Sequence, residues 1–410
     1  MTRIVRTGEF TAFAFVVALV LTGCTQGTQP VSPSSAPTSS AAPTYSPAQD
    51  SYTPVVVSVL NAPVATAATD EMLHLAYELQ LTNASGVSVT ISSVTSDIAG
   101  VPLQSLQGDA LSAVFRAVGT GVSRPTLGPG QAALVWMDGS LPVGSTAPTT
   151  IDHTITVEMP EANLPMYGTT VKERPAAVPV SETQPIEISS PLRGSRWVDA
   201  NGCCDLTPHR LAISHINGQF NVPERWAIDW VQLTGSNALF SGDKTKLESY
   251  PTYGNDILAV ADGPIVAMTT DRPEQVPGTN PTGLTLDEFG GNYIVQDIGG
   301  GHFAFYAHLE PGNPKGVTVG QVLRQGDTIA LLGNTGNSDA PHLHFHIMDS
   351  PSPLASNGLP FLIDHFTLSG TVPSADDIEK GFDGTPYPIE PAGAGARTAE
   401  APLIGTVMTY

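Results

Sequence analysis

Three histidines at alternate positions, His342, His344 and His346, close the segment Gly333-Asn334-Thr335-Gly336-Asn337-Ser338-Asp339-Ala340-Pro341-His342-Leu343-His344-Phe345-His346. Alternate side chains of an extended strand share a face, so the three imidazoles should project together while Leu343 and Phe345 turn to a core. Neutral imidazole is a common metal ligand, and three on one face suit a metal site. Two other segments carry matching chemistry: Arg225-Trp226-Ala227-Ile228-Asp229-Trp230 offers a carboxylate, and Phe303-Ala304-Phe305-Tyr306-Ala307-His308-Leu309 offers another imidazole. Eight of the ten histidines follow residue 200, and such a concentration in a His-poor chain marks a site. Neither a Gly-x-Ser-x-Gly elbow nor a His-Glu-x-x-His helix motif occurs, so the common serine hydrolases and helical zinc peptidases lack their signatures.

Residues 191–366 resemble the lysostaphin-type, LytM-like zinc endopeptidases. The landmarks run in the family order: Ala227-Ile228-Asp229, Tyr253-Gly254, Val260-Ala261-Asp262-Gly263-Pro264-Ile265-Val266, Gly291-Asn292-Tyr293-Ile294-Val295, Tyr306-Ala307-His308-Leu309, Val319-Gly320-Gln321-Val322, Gly333-Asn334-Thr335-Gly336 and Pro341-His342-Leu343-His344-Phe345. The resemblance implies a duplicated-hybrid-motif antiparallel β-sheet domain that cleaves peptide cross-links of peptidoglycan. It implies one zinc ion held by Asp229 and His344, with His308 and His342 as the non-ligand catalytic histidines. Zinc in such a site acidifies a water that attacks a peptide carbonyl, without a nucleophilic Ser or Cys.

One position departs from that pattern. The family places a third ligand, His, four residues before the Asp, where this chain has Arg225. A guanidinium stays protonated and has no lone pair to give. Either another residue takes its place, from among His209, His346, Cys203 and Cys204, or the domain is metal-free and acts as a cell-wall binding or regulatory module. Arg225 is also placed to pair with Asp229 and fill the metal position. Cys203 and Cys204 could ligate as thiolates or close a vicinal disulfide. The disulfide would be strained, because adjacent Cα atoms are about 3.8 Å apart and ordinary bridges span roughly 4.4–6.8 Å. His74 and His153 are isolated from other ligand types and read as ordinary surface or strand residues, while His215, His302 and His365 lack partners in sequence and read as structural or exposed.

The elements that must position this chemistry read as β throughout. Residues 52–172 carry short β-branched runs punctuated by Asn83-Ala84-Ser85-Gly86 and Gly128-Pro129-Gly130-Gln131, the texture of an immunoglobulin-like β-sandwich. Residues 73–82 alternate only imperfectly. A Pro-rich linker is expected at 173–190, the peptidase-like domain at 191–369, and a loop with a terminal strand at 370–410. The terminal strand should return to the sheet, since an apolar strand left alone is an aggregation hazard. The loops 235–250 and 269–286 are expected to wall the substrate groove.

Residues 1–23 read as a lipoprotein signal peptide: Arg3 and Arg6, an apolar run over 10–20, then Leu21-Thr22-Gly23-Cys24, which is similar to a lipobox. The expected product starts at a diacylated Cys24, followed to residue 51 by a Ser/Thr/Pro-rich tether too polar to fold. That places the chain on the extracytoplasmic face of a bacterial cell membrane, held by a lipid anchor. With 410 residues and a net charge of −21, it lacks the basic footprint of a nucleic-acid binder. Its 41% hydrophobic content supports real cores.

Overall fold

The computed structural model describes residues 50–120 and 123–410. The expected signal peptide, Cys24 and nearly all of the tether lie outside them. Among the described residues the chain is nearly all β, and no helix is long and apolar enough to cross a membrane.

The N-terminal part forms two antiparallel sheets. One is built on Val55–Val59, Met72–Asn83, Ala132–Pro142 and Phe115–Ala117; the other on Thr170–Glu173, Thr150–Glu158, Val89–Ile98 and Val101–Gln107. Leu75, Tyr77, Leu79 and Leu81 from the first share one buried cluster with Val89, Ile91, Val94, Ile155 and Val157 from the second. The imperfect alternation of 73–82 has a physical cause. Residues 74–79 are buried on both faces of their strand, because the even-numbered side chains meet the C-terminal part rather than water. Ala76 packs there with Ala68, Cys203, Trp226 and Ala401.

That doubly covered strand also corrects the reading of two histidines. His74 is buried between Asp138 and Asp70, at 3.0 and 3.1 Å. Burial alone would lower it, but the two carboxylates lift it to about 10. His153 is buried as well, 2.7 Å from the Tyr77 hydroxyl, and burial pushes it down to about 4.

The C-terminal part is organised by a 12-stranded sheet whose middle runs Trp197–Asp199, Ile228–Gln232, Leu343–Met348, His302–Ala307, Tyr293–Gly299. These neighbours are all antiparallel. One face buries Trp197, Trp230, Tyr306, Leu343 and Phe345 in the main core; the other carries two smaller apolar clusters, around Val198 and Val231 and around Val295, Phe305 and Met348, with Asp229 and His344 on the strands between them.

The stretch 173–190, expected to be a free linker, is stitched to both parts. Val178–Pro179 pairs with Ile151 and Thr150, and Ile186–Ile188 pairs in parallel with Phe361–Ile363. The tail is more structured than a loop. It contains a helix at Ala375–Gly381, capped by Ser374, and a strand at Gly395–Glu400. Thr406–Thr409 then inserts between Phe361–Thr371 and Trp197–Asp199.

Tyr306 shows how firmly the sheet under the site is held. Its buried hydroxyl accepts from Val260 N at 2.9 Å and donates to Gln296 Oε1 at 2.8 Å. Tyr306→Phe would orphan both partners in the core. We expect a loss of about 2 kcal/mol, read as a lower urea midpoint at constant slope. An unchanged midpoint would show that water reaches these groups.

Candidate metal centre

Strand pairing places the first two site residues. Asp229 and His344 are direct register partners, and Ala307 faces His344 from the other side. His308 follows at the strand end with φ 61°, a left-handed conformation uncommon outside glycine. It is held there by its backbone N–H to Gly290 O at 3.2 Å and by Nδ1–H donated to Thr335 O at 2.7 Å. Thr335 in turn bonds Asn292 N and Leu309 O through its hydroxyl, at 2.8 and 3.0 Å. The loops carrying Gly291 and Gly336 touch backbone to backbone. A Cβ on Gly336 would sit 2.2 Å from Gly291 N, and one on Gly291 2.4 Å from the Thr335 carbonyl carbon.

The third residue at the centre comes from upstream. The four-residue helix Pro208–Leu211, capped by the Thr207 side chain, turns His209 inward. Its Nδ1–H donates to Ala227 O at 3.2 Å, which leaves Nε2 with the lone pair. That Nε2 lies 3.2 Å from Asp229 Oδ2 and 3.1 Å from His344 Nδ1, while His344 Nδ1 lies 3.0 Å from Asp229 Oδ1. Burial alone would lower His209, but the Asp229 carboxylate lifts it to about 9. Burial would likewise raise Asp229, yet His209 and His342 hold it well below the ordinary carboxylate range.

These three donors fit a divalent cation. Metal bonds of about 2.0–2.1 Å in a tetrahedron imply donor-to-donor edges of roughly 3.3 Å; the nitrogen–nitrogen edge here is 3.1 Å, and the nitrogens lie 3.2 and 3.0 Å from the two different oxygens of Asp229. Two imidazole nitrogens, each with its other nitrogen engaged elsewhere, meet at 3.1 Å beside a carboxylate, which is what ligands of a shared ion do. His344, His209 and Asp229 are one of two such donor groups among the described residues. The other, His74 with Asp138 and Cys204, does not suit a metal, because the Cys204 sulfur is spent in a disulfide.

Several expectations are corrected by this geometry. Arg225 does not pair with Asp229. It turns the other way, onto Glu78 of the N-terminal sheet, with Nη2 to Oε2 at 2.5 Å. Cys203 and Cys204 close a vicinal disulfide and have no thiolate to offer. His346 stands behind His344, its Nδ1 2.9 Å from His344 Nε2, so it orients that residue instead of joining the donor triangle. Its own Nε2 is buried without a partner among the described residues.

His342 lies just before the strand. Its Nδ1–H donates to Ala340 O at 2.8 Å, and its Nε2 is 3.3 Å from Asp229 Oδ1. The His308 and His342 rings are 4.6 Å apart between centroids. Burial first, then the neighbouring His342 and His344, holds His308 well below its ordinary range; Asp229 outweighs burial and raises His342. The environment thus shifts the two imidazoles in opposite directions, His308 toward the neutral form and His342 toward the protonated one, the kind of separation that acid–base catalysis uses.

A cavity of about 630 Å³ opens over these residues. Its lining includes Asn280, Pro281 and Leu286 from one segment and Pro353 and Leu354 from another. The loop 235–250 does not contribute. Leu239 and Tyr250 are instead buried with Val198 and Val231, and Phe240 packs on that cluster.

Residues 248–356 match the model of Peptidase family M23, so this part of the chain is a LytM-like M23 peptidase domain. The matched span includes His308, His342 and His344; Asp229 and His209 lie before it. A curated relative, the glycyl-glycine endopeptidase ALE-1 of Staphylococcus capitis, is 29% identical over 161 residues, covering 38% of this chain and 40% of the relative. The chain thus spans well under half the length of that relative. Among solved structures, the catalytic domain of lysostaphin from Staphylococcus simulans is 22% identical, with a TM-score of 0.22, over 40% of this chain and 88% of its own. A zinc-containing peptidase from Vibrio cholerae is 15% identical, with a TM-score of 0.20, over 69% of this chain and 81% of its own.

Proposed function

We propose that the protein is a zinc-dependent endopeptidase that hydrolyses peptide cross-links of peptidoglycan. The observation that carries this reading is the convergence of His209 Nε2 and His344 Nδ1, 3.1 Å apart, on the Asp229 carboxylate, whose Oδ2 and Oδ1 lie 3.2 and 3.0 Å from them respectively. His209 supplies the donor that Arg225 cannot. Zinc bound there would supply Lewis-acid polarisation and an acidified water. The neutral His308 takes the proton of the attacking water at Nε2, since its Nδ1–H is committed to Thr335 O. His342 donates through Nε2 to the developing oxyanion and passes its proton to the leaving amine; the proton that His308 took from water then restores His342, so that amide plus water becomes carboxylate plus ammonium. His346 holds the His344 ring in place from behind.

The anchoring proposal rests on the lipobox-like Leu21-Thr22-Gly23-Cys24 and the polar stretch after it. A diacylated Cys24 would hold the protein on the outer face of a bacterial membrane, with a tether long enough to let it reach the wall.

Purified protein should carry about one zinc per chain and release free amino groups from isolated cell-wall sacculi. Chelation should abolish release, added zinc should restore it, and His344→Ala should be inactive under both conditions. Protein that stays zinc-free in excess metal and releases nothing would instead mark the cleft as a binding module.

A further inference from the structure

Beyond the M23 domain lies a charge that this domain does not contain. Glu78 is fully buried in the middle of Met72–Asn83, on the face turned to the C-terminal part. Two arginines converge on it. Arg225 reaches Oε1 and Oε2 through Nε at 3.0 and 3.1 Å, and Arg210 reaches Oε1 through Nη1. Arg210 also donates through Nη2 to Tyr77 O at 3.2 Å and Met137 O at 2.9 Å, two register partners of the same sheet. Its guanidinium is thus seated in the N-terminal sheet.

The placement of these arginines in the chain matters. Arg210 adjoins His209 in the helix Pro208–Leu211, and Arg225 lies in the turn that leads to Asp229. The two segments also meet directly, since Ala227 O receives the His209 Nδ1–H. The helix has only four residues, too few to hold itself in place.

We propose that Glu78 and Arg210 are positioning residues for the metal centre, so that the N-terminal sheet completes a site whose ligands all lie in the C-terminal part. Glu78 acts through Arg210, which fixes the rotation of the ligand helix and thereby the lone pair of His209. This rests on the zinc reading above. It goes further in assigning a role to the N-terminal domain and in explaining what Arg225 does in place of a ligand.

The test uses the full chain with Arg210→Met. This change frees the ligand helix but leaves Glu78 bonded to Arg225, so the buried carboxylate keeps a counter-charge. Zinc affinity, measured by chelator competition, should fall about 10–100-fold, as for loss of other groups that orient ligands. The visible bands of the cobalt-substituted protein should shift, and Arg210→Lys should restore part of the affinity. A folded Arg210→Met protein with wild-type zinc affinity and cobalt spectrum would overturn the proposal. Should Arg210→Met not fold, Arg210→Lys decides alone: weakened zinc binding in the folded variant supports the role, and unchanged binding removes it. Wild-type protein that binds no zinc would sink the metal reading itself, whereas zinc-loaded wild type beside an unaffected variant would sink only this inference.

Discussion

His209→Ala should leave the folded protein with less than about a tenth of its zinc after mild chelation, and should lower peptidase activity about 1,000-fold or more. Three donors define the centre, and removing one leaves a carboxylate and a single imidazole. Losing an orienting partner alone costs about 10–100-fold in metal affinity, so losing a ligand should cost more. Companion variants separate the alternatives. Cys203→Ser with Cys204→Ser should keep the zinc, because those sulfurs are bonded to each other. His346→Ala should lose affinity only partly, because it touches His344 at the nitrogen opposite the metal-facing one. Zinc content unchanged in His209→Ala, by mass spectrometry of the native protein, would mean that the triangle is not the metal site.

The second large effect separates chemistry from binding. His308→Ala and His342→Ala should each lower kcat/KM by about 100- to 10,000-fold, the range for removing a positioned acid or base. Zinc should remain at about one per chain, because neither residue belongs to the donor triangle. The double variant should be little worse than the more damaged single one, since groups that act as a unit are not additive. Full zinc with undiminished turnover in either variant would remove that histidine from the mechanism.

Much of this architecture could be read before any fold was known. The alternation through His342, His344 and His346, with Leu343 and Phe345 between them, specified a strand with one chemical face, and the three imidazoles do line one cleft. The collinear glycine and histidine landmarks specified the C-terminal domain. What could not be read was whatever depended on long-range contact. His209 sits twenty positions before Asp229 on a short turn, and nothing local distinguishes it from His215, which stays exposed. The loop 235–250 was expected to wall the groove, but its Leu, Phe and Tyr side chains found a core of their own. The linker at 173–190 looked free because parallel pairing through three residues leaves no periodic trace. One signal was available and not used. A glutamate between Tyr77 and Leu79, in a strand too apolar to face water, calls for a buried cation, and Arg210 and Arg225 answer it.

The contact between the Gly291 and Gly336 loops bears on selectivity. With two backbones pressed together and Thr335 bonded to both neighbouring segments, the floor beneath His308 has no slack to rearrange around a guest. Induced fit gains discrimination by letting the right substrate assemble the catalytic groups. Here those groups stand assembled beforehand, so that route would contribute little. Discrimination by the proposed peptidase would then fall to admission into the cleft that Leu286 and Leu354 help to line, however well a bond would react. Bulk beside the scissile bond should therefore be penalised mainly in KM, with turnover preserved for whatever gets in.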